Sequence, residues 1–142
     1  MAETAKQRPV YRNIHITDIV AYRLPLAGIV SILHRISGAV LFLLLPFVIW
    51  MFDTSVTSEI SYEAFTSVFA SGCGVIPAWF IKLVAVGIMW SYLQHFAVGV
   101  RHLWMDATHS VSKEQGKSSA IVTLVVALPL TALFAARLFG LY

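Results

Sequence analysis

Charge is what this sequence has least of. Asp, Glu, Lys and Arg make up 12% of its 142 residues and hydrophobic types 58%, whereas ordinary soluble domains carry about a quarter charged residues. A soluble globule of this length would leave too much of its surface facing water to hide that many apolar side chains. A soluble domain is therefore excluded, and the excess must face lipid or other subunits. Cysteine is almost missing too. Cys73, between Gly72 and Gly74, has no partner in the chain, which excludes a disulfide scaffold, a cysteine-held zinc site and an iron–sulfur cluster of its own. It reads as an isolated small residue in a turn. The chain lacks a glycine-rich phosphate loop, an H-E-x-x-H pair and a dinucleotide fingerprint, so nothing points to nucleotides, flavin or zinc hydrolysis. Its net charge of +3 is dispersed, and no nucleic-acid partner is expected.

What is present is long apolar runs. Ile36 to Phe52 carries no charge, Pro77 to Val100 is interrupted only by Lys82 and His95, and Ala120 to Ala136 is again uncharged. A hydrocarbon core of ~30 Å needs about 20 helical residues, and each run gains its missing turn from its flanks. Lipid cannot satisfy an open strand edge, so the spans are helices. The fold class expected is an all-α membrane protein: three transmembrane helices at approximately 29–52, 77–104 and 118–140, after a cytoplasmic N-terminal segment, within a multi-subunit helical bundle. The chain forms one membrane domain over 1–142. Pro46 and Pro129 lie inside spans, where kinks rather than breaks are expected. The segment between the first two spans, Asp53 to Gly74, reads as an outer loop.

The few charges set orientation. Lys6, Arg8, Arg12 and Arg23 precede the first span, Asp53, Glu59 and Glu63 follow it, and Arg101, Lys113 and Lys117 flank the next connection. The positive-inside rule puts the N-terminus in the cytoplasm and, with three spans, the C-terminus outside. Trp50, Phe52 and Trp79 fall at the outer boundary and Trp104 at the inner one, as an aromatic belt requires. Met1 to Val10 has neither the apolar core of a signal peptide nor the character of a transit peptide, so a bacterial cytoplasmic membrane is the expected address.

An ionisable group at the middle of a span costs about 2.5 to 3.5 kcal/mol, so each one needs a reason. His95 lies six residues before Arg101, ~9 Å into the apolar region if Arg101 marks the interface. Gly87, Ser91, His95, Gly99, His102 and Asp106 recur at spacings of three and four and share one helix face. This stripe fits either a close helix–helix contact bridged by His95 or a flat cofactor lying on the glycines with its metal bound by His95. At the start of the first span stand Ser31, His34, Arg35, Ser37 and Gly38. Helical spacing brings Ser31, His34 and Arg35 toward one side, either as a snorkelling arginine with its neighbours or as a site for an anion or a carbonyl. Two chemistries would use this set. Haem b needs imidazole ligands in an apolar cavity and cationic partners for its propionates; quinone reduction needs donors to the carbonyls and a proton path to water.

The run Ser31-Ile-Leu-His34-Arg35-Ile-Ser37-Gly38, preceded by Arg8-Pro9-Val10, and the run His95-Phe-Ala-Val-Gly99-Val-Arg101-His102-Leu-Trp-Met-Asp106 resemble the signatures of the cytochrome b556 subunits of succinate dehydrogenase. These are one of the two membrane anchors of respiratory complex II. The resemblance spans essentially the whole chain. It implies His95 as an axial ligand of the haem b iron, with the other ligand supplied by the second anchor subunit. It implies Ser31 and Arg35 in the pocket for ubiquinone or menaquinone, and His34, Arg35, Gly99 and His102 about the haem and its propionates. Asp106 would pair with Arg101 or cap the helix. Further partners implied are a flavoprotein subunit, which holds the succinate site, and an iron–sulfur subunit; this chain would be a non-flavin membrane subunit of the enzyme. A fumarate reductase anchor, a membrane scaffold without a redox cofactor and an ion pathway are the alternatives, the last disfavoured by the absence of Asp or Glu from the spans. His15 and His109 read as exposed loop histidines.

Overall fold

The computed structural model describes residues 13–142, so Lys6, Arg8, Arg12 and the Arg8-Pro9-Val10 signature lie outside the described residues. A short helix α1 (Ile16–Ala21) precedes three long ones, α2 (Leu26–Val56), α4 (Ala78–Thr108) and α5 (Lys113–Leu138), with α3 (Glu59–Ser71) between the first two long helices. Helices α2 and α4 have 31 residues each and α5 has 26. At ~1.5 Å per residue these exceed a ~30 Å hydrocarbon core, and all three are apolar enough to cross it.

The helix boundaries follow local chemistry. Helices α2 and α4 each begin directly after a proline in extended conformation, Pro25 and Pro77, and a proline both lacks the N–H and bars helix in the residue before it. Helix α4 closes on His109, which adopts the left-handed conformation with φ 54°. Helix α5 opens with a reciprocal cap, the Gln115 amide donating to Ser112 Oγ at 3.2 Å and the Ser112 amide to Gln115 Oε1 at 3.1 Å. Helices α2 and α5 run unbroken through Pro46 and Pro129.

The segment expected as a loop from Asp53 to Gly74 is mostly helix. Helix α2 continues to Val56, and α3 starts at once from Ser58, whose hydroxyl accepts the Ser61 amide at 3.1 Å while Ser61 Oγ accepts the Ser58 amide at 3.0 Å. A polar cap and a first-turn Glu59 stabilise a helix start without any long apolar run. Cys73 sits exposed in the tight turn that follows, its amide and carbonyl paired with those of Ile76 at 2.9 Å each. Gly72 enters this turn with φ 87°, and a side chain there would collide with the Ile76 carbonyl.

Helix α4 is the centre of the bundle, packed against α2 on one side and α5 on the other; α3 leans on α2 and α4. The interior is small. Among the described residues the buried apolar side chains are Val30, Val98, Ala120 and Ala127, and the buried polar ones are Ser37, Ser91, Gln94, Arg101 and Thr123. Only 6% of the most apolar window of α2, and 17% in α4 and α5, is buried by the chain itself. Small residues at the contacts and large ones facing outward are the pattern of helices that pack in lipid. Trp50, Phe52, Trp79 and Trp104 are all exposed. Because α4 runs back along α2, and α5 back along α4, Arg23, Arg101, Lys113 and Lys117 gather at the end where α2 begins, and Asp53, Glu59 and Glu63 at the end where α3 lies.

Candidate functional site

At the end where α2 begins, three histidines meet. The rings of His34 on α2 and His95 on α4 stack with centroids 4.2 Å apart and planes 7° from parallel. The ring of His102, two turns further along α4, lies 5.1 Å from His34 at 53°. His95 Nδ1 is 3.1 Å from the backbone carbonyl oxygen of His34. A carbonyl only accepts, so this nitrogen carries the proton and donates, which leaves His95 Nε2 as the lone-pair nitrogen. The same carbonyl accepts the Ser37 hydroxyl at 2.9 Å. Gly38, one residue on, faces the His95 ring: a Cβ placed there would sit 2.8 Å from His95 Cε1 and 3.1 Å from Nδ1. Among the described residues, buried His34 Nε2 has no hydrogen-bond partner. Gly99 backs this nitrogen, a Cβ there lying at an ordinary 3.9 Å.

Ser31 and Arg35 are less gathered than the spacing suggests. His34 turns in against α4, whereas Arg35 is exposed and Ser31 half-buried on the flank of α2. Neighbours in a helix point ~100° apart, so His34 and Arg35 cannot both face α4. Among the described residues neither the Ser31 hydroxyl nor the Arg35 guanidinium forms a hydrogen bond.

Arg101 departs from expectation. It is 8% exposed and reaches α5, donating from Nε to Ser119 Oγ at 2.9 Å and from Nη2 to the Gly116 carbonyl at 3.2 Å. Asp106 does not pair with it and lies exposed. Five residues along a helix are roughly 140° around it, so the two side chains leave different faces. Asp106 instead lends its carbonyl to His109 Nδ1 at 2.8 Å, the left-handed residue that ends α4. Gly116 and Ser119 precede the uncharged run that begins at Ala120, and a glycine with a serine three residues on is the only signal they give. His15 is exposed, its Nδ1 3.0 Å from Thr17 Oγ1 at the start of α1. Two open surface clefts, of about 430 Å³ beside Trp104, Glu114 and Ser118 and about 490 Å³ beside Ser58 and Tyr62, include no histidine.

The His95 imidazole, with its Nε2 left as the lone-pair nitrogen, is of a kind that would suit a metal-bound group such as a b-type haem. A metal-ligating histidine typically gives its other N–H to a carbonyl or carboxylate, as His95 does. Among the described residues no group of three or more His, Cys, Asp or Glu side chains is arranged to hold a metal ion by itself. Among the described residues no polar group meets the Nε2 of His34.

Long apolar helices with a narrow polar interior, and histidines at one end of the bundle, define a multi-pass membrane subunit. Comparison with known proteins makes this specific. Over residues 4–134 the chain matches the family described as succinate dehydrogenase/fumarate reductase transmembrane subunit, and it belongs to that family. It is similar to the succinate dehydrogenase cytochrome b556 subunit of Paracoccus denitrificans, 33% identical over 116 residues that cover 74% of this chain and 84% of the relative. The subunit of the same name from Coxiella burnetii is 33% identical over 110 residues, 77% of this chain and 82% of the relative. That of Rickettsia felis is 26% identical over 131 residues, 92% and 93% of the two chains. The chain is thus a membrane-anchoring subunit of succinate dehydrogenase or fumarate reductase, in an all-helical, three-span fold.

Proposed function

We propose that this chain would hold a haem b through the imidazole of His95, together with a second anchor subunit, and would form one wall of an adjoining quinone site. The single observation that carries the reading is the hydrogen bond from His95 Nδ1 to the His34 carbonyl at 3.1 Å, which fixes the tautomer a metal ligand needs. Bound there, haem b supplies one-electron redox capacity. The chain's own residues do the rest. His34 and His102, with rings 5.1 Å apart, and Arg35 offer N–H donors to the propionates, while Gly99 keeps the wall beside His34 thin. The Ser31 hydroxyl and the Arg35 guanidinium donate to the carbonyl oxygens of ubiquinone or menaquinone, and His34 can pass a proton toward water. Succinate is oxidised on the flavoprotein subunit, and the iron–sulfur subunit delivers its electrons to this end of the bundle.

The spans lie at about 29–52, 77–104 and 118–140, with the histidine end toward the cytoplasm of a bacterial cell and the C-terminus outside. This orientation is supported by Arg23, Arg101, Lys113 and Lys117 at one end of the bundle and Asp53, Glu59 and Glu63 at the other. In the purified complex, His95→Ala is expected to abolish the b-type signal of the reduced-minus-oxidised spectrum; an unchanged spectrum overturns the ligand assignment.

A further inference from the structure

We infer that Gly38 is a positioning residue for His95: its missing side chain is what allows the imidazole to lie against α2 and donate to the His34 carbonyl. The inference rests on the reading of His95 as a haem ligand. A Cβ on Gly38 would approach His95 Cε1 to 2.8 Å and Nδ1 to 3.1 Å, and the part that must give way is the ring itself. The ring has little freedom to yield. It also stacks on the His34 ring with centroids 4.2 Å apart, and its Nδ1 is held at 3.1 Å by the His34 carbonyl. Any shift that clears a methyl group at Gly38 lengthens or bends that hydrogen bond. Alanine favours helix over glycine, so Gly38→Ala disturbs the contact without disfavouring α2.

Ser37 acts on the same carbonyl from the opposite sense. Its hydroxyl is fully buried and donates to the His34 oxygen at 2.9 Å, sharing the acceptor with His95. Without this hydroxyl the carbonyl is more available to Nδ1–H, the imidazole gains basicity at Nε2, and the oxidised, more positive iron is favoured. Gly38 and Ser37 therefore set how strongly one backbone oxygen holds the ligand, and the two substitutions are expected to move its basicity in opposite directions.

The test compares Gly38→Ala, Ser37→Ala and His95→Ala in the full membrane complex, reading haem per flavin, the haem midpoint potential and the low-spin EPR signal. Gly38→Ala is expected to weaken haem retention about 10- to 100-fold, the usual loss when an outer partner of a ligating histidine is removed, with a raised potential and an altered EPR signal in the haem that remains. Ser37→Ala is expected to keep the haem and lower its potential. If Gly38→Ala retains haem with unchanged potential and EPR signal while His95→Ala loses it, the positioning role is overturned and the ligand assignment stands. If His95→Ala keeps an unchanged spectrum, the assignment beneath it falls. Should Gly38→Ala fail to assemble, Ser37→Ala decides: a lowered potential supports the shared carbonyl, and an unchanged one overturns it.

Discussion

The two ends of this bundle are held by different forces. At the histidine end, side chains of one helix bond to another: His95 to the carbonyl of His34, and Arg101 to Ser119 and to the carbonyl of Gly116. At the α3 end the hydroxyls return to their own helix, as Thr54 does to the Trp50 carbonyl at 2.8 Å and Ser71 to the Ser67 carbonyl at 2.9 Å. Lipid tails are as apolar as leucine, so apolar contact alone hardly distinguishes one helix neighbour from another. Polar bonds across helices do distinguish them, and here they stand beside the histidines. The difference teaches that register is fixed where chemistry needs it, while the α3 end is left to surface packing and caps.

The comparison can be broken in several ways. Arg35→Ala or Ser31→Ala is expected to lower quinone reduction by about 10- to 100-fold, the cost of a lost hydrogen bond to or from a charged or closely held donor, while succinate oxidation with an artificial acceptor persists. If both activities survive, the quinone pocket lies elsewhere. Arg101→Leu removes two bonds between α4 and α5 and is expected to destabilise the complex by about 1 to 3 kcal/mol, read as a lower melting temperature in detergent; no change would mean that polar bonds do not hold this end. Ser58→Ala, which removes the α3 cap, should cost about 1 kcal/mol in local protection of α3 by hydrogen exchange and leave the haem spectrum untouched. Gln94→Leu is expected to change the melting temperature least. Gln94 is fully buried, and among the described residues neither its Nε2 nor its Oε1 has a partner, so an apolar side chain of similar volume is expected to be neutral or stabilising. A marked loss would show that Gln94 bonds to a group supplied by another chain.

Much of the fold was legible because lipid narrows the choice of structure to helices of a given length, and the apolar runs mark them. Helix α3 was not legible by that rule, since its start depends on Ser58 and Ser61 rather than on hydropathy. Periodicity also separates the faces of one helix well: it put His95, Gly99 and His102 together, and all three do line the contact with His34. It cannot say which residue of a second helix meets that face. The seat of His95 on Gly38, and the reach of Arg101 to Gly116, depend on the relative shift of two helices far apart in sequence, which spacing within one helix does not encode. The supposed pairing of Arg101 with Asp106 failed for a reason the sequence already contained, five residues being the wrong step around a helix.

The narrow interior also governs how such a chain can drift over evolutionary time. Among the described residues a few positions, Ser37, Gly38, Ser91 and Ala120 among them, are buried in or press against a neighbouring helix of the same chain. The outward-facing leucines, valines and phenylalanines need only remain greasy. Mutational tolerance should therefore follow side-chain volume along the seams between helices and mere hydrophobicity at lipid-facing positions, so that outside the histidine end and any face that meets a partner subunit the protein can lose most of its letters and keep its architecture.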